Sequence, residues 1–380
     1  MLTLVSARCP VLVIGFAFLA LSVAGAAFAA APSPDSQGIL ARTLEAARQE
    51  KRVVRLVDEG ELGVAGVKEV EAAFNRKYPG LNAHIEYSLS PPSYAATAAK
   101  MLQEQRARVR PSFDVFFATE GVFLSIESER QKRGKEVMLS IERELLTKET
   151  PPEALVHNGL GVVNFHSFYP LFYNPKLVPS EQAPAGYRDL TDPKWRGKFQ
   201  LVPSPTASGQ YGIHFGKNEW LEIARKLGEN KPILEFYGPA FARFTTGELP
   251  IIGRALDNQL FQARKAGLPV ALGSLEATML AAHTVHVNRD APSPNTAKLF
   301  AAFLASPEVA AIQERIGTRL NYFYPKSRGV EIADALKAQE RQGKTKIYRL
   351  LDHMDYLRWL ELTKEGKEYG QKVVQLLRGG

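Results

Sequence analysis

The feature that most constrains this chain is a rhythm. Short extended runs alternate with amphipathic stretches, pause at Pro151-Pro152, and then begin again. A first helix is predicted over residues 38–49 and a strand over 52–57. Val67, Val70 and Phe74 recur at helical spacing until Pro79-Gly80 ends that helix. Leu81, Ala83, Ile85 and Tyr87 alternate with Asn82, His84 and Glu86, the pattern of a half-exposed strand. A loop over 88–93, a helix from about Tyr94 to Arg108 and a buried strand over 113–118 follow. Strands alternating with helices in this way predict an α/β domain with a largely parallel sheet. After the prolines, residues 162–172 are extended and aromatic, 199–202 form a strand, and a helix opens near Thr206. Trp220, Ile223, Ala224 and Leu227 make an apolar stripe after Asn218, a good N-cap, and Gly228 ends it. Ala297, Phe300, Ala301 and Leu304 make another stripe. No repeat at solenoid period is present. With 380 residues, 45% of them hydrophobic, the chain can bury about two ordinary cores.

The N-terminus reads as a secretory signal peptide over residues 1–29. Arg8 precedes an apolar run from Val11 to Ala24, and Ala27-Phe28-Ala29 offers a small-residue cleavage site. The alternative is an uncleaved anchor, for which the apolar stretch is about long enough; Gly25 and the alanine-rich end favour the peptidase. Cleavage removes Cys9, the only cysteine, leaving neither disulfides nor cysteine chemistry. It also removes Arg8, the only charge before Asp35, taking the net charge from +8 to +7. The basic groups at 106–110, 130–135 and 341–346 lack interleaved aromatics and read as solvated faces, so no nucleic-acid partner is expected. A positive field favours an anionic ligand or an anionic membrane surface.

Motifs for catalysis are missing. The chain has no H-E-x-x-H, G-x-S-x-G, Walker loop or G-x-G-x-x-G, so no enzyme and no cofactor are expected. His283 and His286 stand three apart in a strand, which puts them on opposite faces and makes structural roles the reading.

In parallel α/β domains, ligands sit outside the carboxyl ends of strands, near helix N-termini. The loops at those ends supply the candidates. Glu59 follows the first strand, Ser88 and Ser90 the second, and Thr119 and Glu120 the third. In the second half Ser204, Thr206 and Ser208 follow a strand, and their hydroxyls serve equally for anion binding or for capping the next helix. Arg254 could grip a carboxylate bidentately, with Asn258 as a neutral partner, or form a salt bridge. Glu276 suits recognition of an amine or a helix cap, and Tyr169 and His166 suit packing or a cleft wall.

Several motifs resemble those of periplasmic solute-binding proteins of ABC importers, in the branch that includes the ferric-iron binders. Tyr173-Asn174-Pro175-Lys176-Leu177-Val178 is similar to that family's YN-x-x-L-V. Residues 187–198, with Asp189-Leu190-Thr191-Asp192-Pro193-Lys194-Trp195-Arg196-Gly197-Lys198, are similar to its D-L-x-D-P-x-W-x-G-K. Ala72-Ala73-Phe74 through Tyr78-Pro79-Gly80, Phe113-Asp114-Val115, Gly247-Glu248-Leu249-Pro250-Ile251 and Ala291-Pro292-Ser293-Pro294-Asn295 through Ser306-Pro307-Glu308 extend the resemblance across roughly residues 50 to 325. It implies an α/β, two-lobed type II periplasmic-binding-protein fold with a hinge and an interlobe cleft. The implied lobes are residues 39–165 and 166–286, with 287–380 returning to the first lobe and ending in a helical tail. Hinge crossings are implied near 164–167 and 283–287.

The function implied is capture of a small polar solute by hinge closure in the periplasm, and the hydroxyl-rich loop at 204–209 with Arg254 suits an anionic one, an organic carboxylate or phosphonate. Partners would be the solute and an inner-membrane ABC permease, with the binding protein a monomer. The family's ferric binders use a neighbouring tyrosine pair after the G-E-x-P-I turn. Here that stretch reads Arg254-Ala255-Leu256-Asp257-Asn258-Gln259-Leu260-Phe261, and no Tyr-Tyr occurs anywhere in the chain. Hard Fe(III) wants anionic oxygen ligands, so a ferric reading would need other carboxylates or a synergistic anion. A sensor subunit serving a membrane kinase, through the tail beyond Gly329, is a further alternative.

Overall fold

The computed structural model describes residues 34–89, 93–317 and 319–380. The expected signal peptide at 1–29 and the candidate Ser90 lie outside the described residues.

The first lobe opens with helix α1 (Pro34–Arg48), strand β1 (Val53–Asp58), α2 (Gly63–Lys77), β2 (His84–Leu89), α3 (Tyr94–Ala107), β3 (Val115–Ala118) and α4 (Glu120–Arg133). The stripe read from the sequence is the buried face of α2, with Val67, Val70 and Phe74 all in the core. Short strands β4 (Met138–Leu139) and β5 (Leu155–Val156) precede β6 (Gly161–Phe168), every residue of which is buried.

The chain then enters a second sheet through β7 (Phe172–Tyr173) and β8 (Phe199–Leu201). Helices α5 (Pro205–Gly209), α6 (Gly212–Phe215) and α7 (Lys217–Glu229) follow, then β9 (Ile233–Leu234), α8 (Tyr237–Thr246), β10 (Ile251–Ile252), α9 (Asp257–Lys265) and β11 (Ala271–Leu272). Trp220, Ile223, Ala224 and Leu227 form the buried face of α7 as expected. Its N-cap, however, is Gly216 at φ 79, and Asn218 sits inside the first turn. Phe215 has to turn inward against Trp220, 5.2 Å between centroids, and the positive-φ glycine makes that corner.

Strand β12 (Ala277–Asn288) returns to the first sheet, followed by α10 (Pro294–Leu304) and α11 (Pro307–Ile316). The chain closes with α12 (Gly329–Arg341), β13 (Lys346–Arg349), α13 (Met354–Leu362) and α14 (Lys364–Leu377). The first sheet has eight strands in the order β2-β1-β3-β12-β6-β5, with β13 and β4 also on β12; the second has five, ordered β11-β7-β10-β8-β9. In the first sheet β1, β2 and β3 form one parallel set, and β13 runs parallel to β12. Strand β12 runs antiparallel to both β3 and β6, because it arrives from the other lobe.

This pair, β6 and β12, is the spine of the molecule. The chain passes between sheets at residues 169–171 and 273–276, so both crossings lie at one end of the spine. Pairing shifts between His283 and Thr284, a local irregularity in the strand. His283 stacks on Phe165 at 4.1 Å, whereas His286 bonds Thr284 and the Leu160 carbonyl. Both histidines are buried in packing, as their spacing predicted.

The last segment divides between the lobes. Helices α10 and α11 pack on the first, against α1, β1 and α2. Beyond residue 329, β13 pairs with β12 of the first sheet while α13 and α14 turn to the second lobe. Tyr348, Leu350, Leu357, Leu360, Tyr369, Val373 and Leu377 belong to the same buried cluster as Trp195, Phe199, Trp220 and Leu227. Each fully buried aliphatic side chain contributes about 1.5–3 kcal/mol, so the tail is part of the second lobe's core rather than an appendage. Helix α14 lies on α5 so closely that Gly370 faces the Pro205 backbone with no room for a Cβ.

Candidate functional site

Two strand ends from different sheets face each other across the hinge. On the first lobe, β3 ends at Ala118 and Thr119 leads into α4 in extended conformation. The Glu120 carboxylate is 2% exposed and accepts a 2.6 Å bond from the Ala282 N–H of β12. Desolvation in that buried position pushes its pKa up to about 7.

On the second lobe, β8 leads to α5, whose hydroxyls divide between roles. Ser204 caps the helix, accepting from the Ala207 N–H at 3.3 Å, and Ser208 is buried and donates to the Val202 carbonyl at 2.8 Å. Thr206 alone of the three stands near a group of another element, the Glu361 carboxylate of α13. Capping therefore accounts for Ser204 and internal satisfaction for Ser208.

Arg254 follows β10 through Gly253, where the chain passes so near β8 that a Cβ would lie 2.6 Å from the Gln200 carbonyl oxygen. Its side chain is folded inward and only 4% of it is exposed. It donates to the Tyr211 hydroxyl at 3.0 Å, the Tyr237 hydroxyl at 3.2 Å and Gln210 Oε1 at 3.2 Å, and it stacks over Tyr169 at 4.0 Å. Every one of these partners is neutral. A guanidinium stays charged in any protein environment, so this is a buried cation fully held in place but without a carboxylate.

These parts enclose one pocket of ≈ 210 Å³, lined by Thr119, Glu120 and Gly121 of the first lobe, by Ser204, Thr206, Gln210, Tyr237 and Arg254 of the second, and by Tyr169 and Ala281 of the spine. A third contributor is the tail, with Leu350, Leu357 and Glu361. Larger hollows of ≈ 320 and ≈ 420 Å³ occur beside α3 and α4 and around Arg133 and Arg289, but no second-sheet strand or Arg254 reaches them.

Of the sequence candidates, Thr119, Glu120, Ser204, Thr206 and Arg254 meet here. The others stand elsewhere. Ser208 is turned into the packing, and Ser88 is exposed at the end of β2. The Glu59 carboxylate accepts from the Tyr94 N–H in a crowded turn where burial and Glu61 push its pKa up to about 7. Asn258 lines a separate hollow with Phe261, Glu314 and Arg328, so it does not partner Arg254. Glu276 accepts from the N–H groups of Tyr187 at 2.6 Å and Arg188 at 3.0 Å, far earlier in the chain, rather than capping a helix after it.

Glu361 and Leu357 went unanticipated. The signal was present: Leu357, Leu360 and Glu361 fall on one face of α13, and an acid on an apolar face is worth questioning.

Among the described residues no helix is long and apolar enough to cross a membrane, and no group of three or more His, Cys, Asp or Glu side chains is placed to hold a metal. No curated protein sequence matches the chain. A profile for the bacterial extracellular solute-binding proteins matches residues 144–319. Among solved structures, a substrate-binding protein of an ABC transporter from Bradyrhizobium japonicum USDA 110 superposes with a TM-score of 0.63 at 14% identity, covering 86% of this chain and 100% of that one. Iron-bound HitA from Pseudomonas aeruginosa gives 0.57 at 18% identity, covering 73% and 87%. The agropinic acid complex of AgtB from Agrobacterium tumefaciens R10 gives 0.53 at 17%, covering 70% and 81%. The shared architecture is two α/β lobes around a cleft, the periplasmic-binding-protein fold. The matched segment is similar to the bacterial extracellular solute-binding proteins, a non-enzymatic family, and the two-lobed fold agrees with that likeness.

Proposed function

We propose that this protein captures a small anionic solute, an organic carboxylate or phosphonate, between its two lobes and delivers it to an ABC permease of the inner membrane. The observation that carries the reading is Arg254, a buried cation with neutral partners only, set in a pocket to which both lobes contribute. An anionic group supplies the missing counter-charge through charge-assisted bonds. Thr119 and Thr206 approach from opposite lobes, so a ligand that touches both favours the closed arrangement by its differential affinity. Similarity to binding proteins whose partners are ABC transporters supports the delivery step.

The test is native mass spectrometry of the mature protein, followed by titration of the identified ligand into wild type and Arg254→Ala. Removing the guanidinium should weaken binding by roughly 2–5 kcal/mol. Unchanged affinity removes Arg254 from the site, and stoichiometric iron in the native spectrum overturns the choice of an organic anion.

A further inference from the structure

Besides Glu120, which is tied to the Ala282 N–H and held toward its neutral form by burial, the pocket holds a carboxylate that the anion reading leaves unanswered. Glu361 points from α13 into the same ≈ 210 Å³ space, about seven waters' share of liquid volume. Its carboxylate packs against the first turn of α4, where a Cβ on Gly121 would lie 2.5 Å from Oε1. The Thr206 hydroxyl stands near it and Lys367 acts on it only from a distance, and among the described residues it forms no ion pair. Burial raises its pKa, the mark of a carboxylate whose charge is poorly compensated.

Arg254, held by neutral groups, and Glu361, which forms no ion pair among the described residues, are thus two charges of opposite sign that line one cavity without forming a salt bridge to each other. A plain anion would answer Arg254 and leave a second carboxylate in the same small space beside Glu361, which is unfavourable. A molecule with a negative group at one end and an ammonium at the other answers both. Resting on the anion reading at Arg254, we propose that the ligand is an amino-carboxylate, its carboxylate at Arg254 and its ammonium at Glu361. The tail helix α13 is then a specificity-determining wall of the site. That residue lies outside the matched segment at 144–319.

The experiment titrates a series of ω-amino acids, from 3-aminopropanoate to 6-aminohexanoate, against the monocarboxylates and dicarboxylates of the same length. Wild type, Glu361→Gln, Glu361→Asp and Arg254→Gln are compared by calorimetry, with circular dichroism melts to confirm folding. One amino acid of the series should bind at least tenfold tighter than its matched carboxylates. Glu361→Gln should cancel that preference, with Glu361→Asp retaining part of it. If the carboxylates bind as well as the amino acid in an Arg254-dependent way, the amino-carboxylate assignment falls and the anion reading stands. Binding that ignores Arg254 removes both. Failure of every amino acid in the series to bind also overturns the assignment, while the mass-spectrometric identification separately decides the anion reading.

Discussion

The guanidinium of Arg254 rests on the ring of Tyr169, 4.0 Å from its centroid, and so a second-lobe cation is seated on the first residue of an interlobe crossing. The Tyr169 N–H is itself tied to the Met279 carbonyl at 3.1 Å, so this platform belongs to the spine. Because the ring both supports the cation and lines the pocket, the contact couples ligand recognition to the hinge.

Removing that platform should be felt in affinity. A desolvated cation–π contact is worth about 2 kcal/mol, so Tyr169→Ala should weaken ligand binding by roughly thirtyfold. Tyr169→Phe keeps the ring and should stay near wild type. Equal loss in both variants, measured by calorimetry, would assign the effect to the hydroxyl and discard the stacking argument.

The hydroxyls of α5 should behave differently from Arg254. Ser204→Ala loses a helix cap and Ser208→Ala a buried bond to Val202, each costing about 1 kcal/mol of stability. Ligand affinity should be unchanged in both. A drop in affinity without a drop in denaturant midpoint would return these serines to the binding site.

Glu120 makes a pH prediction. Its folded pKa is about 7 against an ordinary 4.5, so the folded state holds the proton more tightly. The sign follows: stability from this group is fully present below pH 4.5 and is lost as pH rises through 7. Glu120→Gln keeps an oxygen for the Ala282 N–H and has no proton to lose. Its stability relative to wild type should therefore climb by about 3 kcal/mol between pH 4.5 and pH 8. Urea midpoints measured at both pH values test this, and a constant difference would refute the buried neutral acid.

The parts of the fold that sequence made legible are those governed by local periodicity. The α2, α7 and α10 stripes and the alternation through Ile85 and Tyr87 each bury the face their spacing picks out. Strand direction was less readable, since β12 owes its antiparallel course to a crossing from the other lobe. The site divided in the same way. Arg254, Thr119 and Thr206 share one pocket because strand ends place them, whereas Glu276 and Asn258 stand apart from it beside Tyr187 and beside Glu314 and Arg328, all distant in sequence. Glu361 was legible only as an acid on an apolar face, since nothing local tells that the tail folds back between the lobes.

That fold-back is itself testable at Gly228. A Cβ there would overlap the Leu376 carbonyl oxygen, a backbone atom of α14 that cannot swing aside as a side chain would. Gly228→Ala should therefore pry α14 off α7 and destabilise the second lobe by about 3 kcal/mol, the upper part of the range for overpacking. Gly247→Ala is the control. Gly247 has a φ of 81 and open space around it, so only its left-handed backbone is strained, at about 1 kcal/mol. Trp195 and Trp220 belong to the second-lobe core and Trp359 packs against it, and the chain has 3 tryptophans in all, so intrinsic fluorescence reports that lobe. An early unfolding transition by fluorescence in Gly228→Ala, absent from Gly247→Ala, is the expected result. Coincident midpoints for the two variants would mean that α14 is dispensable to the second lobe, and the wall that α13 gives the pocket would lose its anchor.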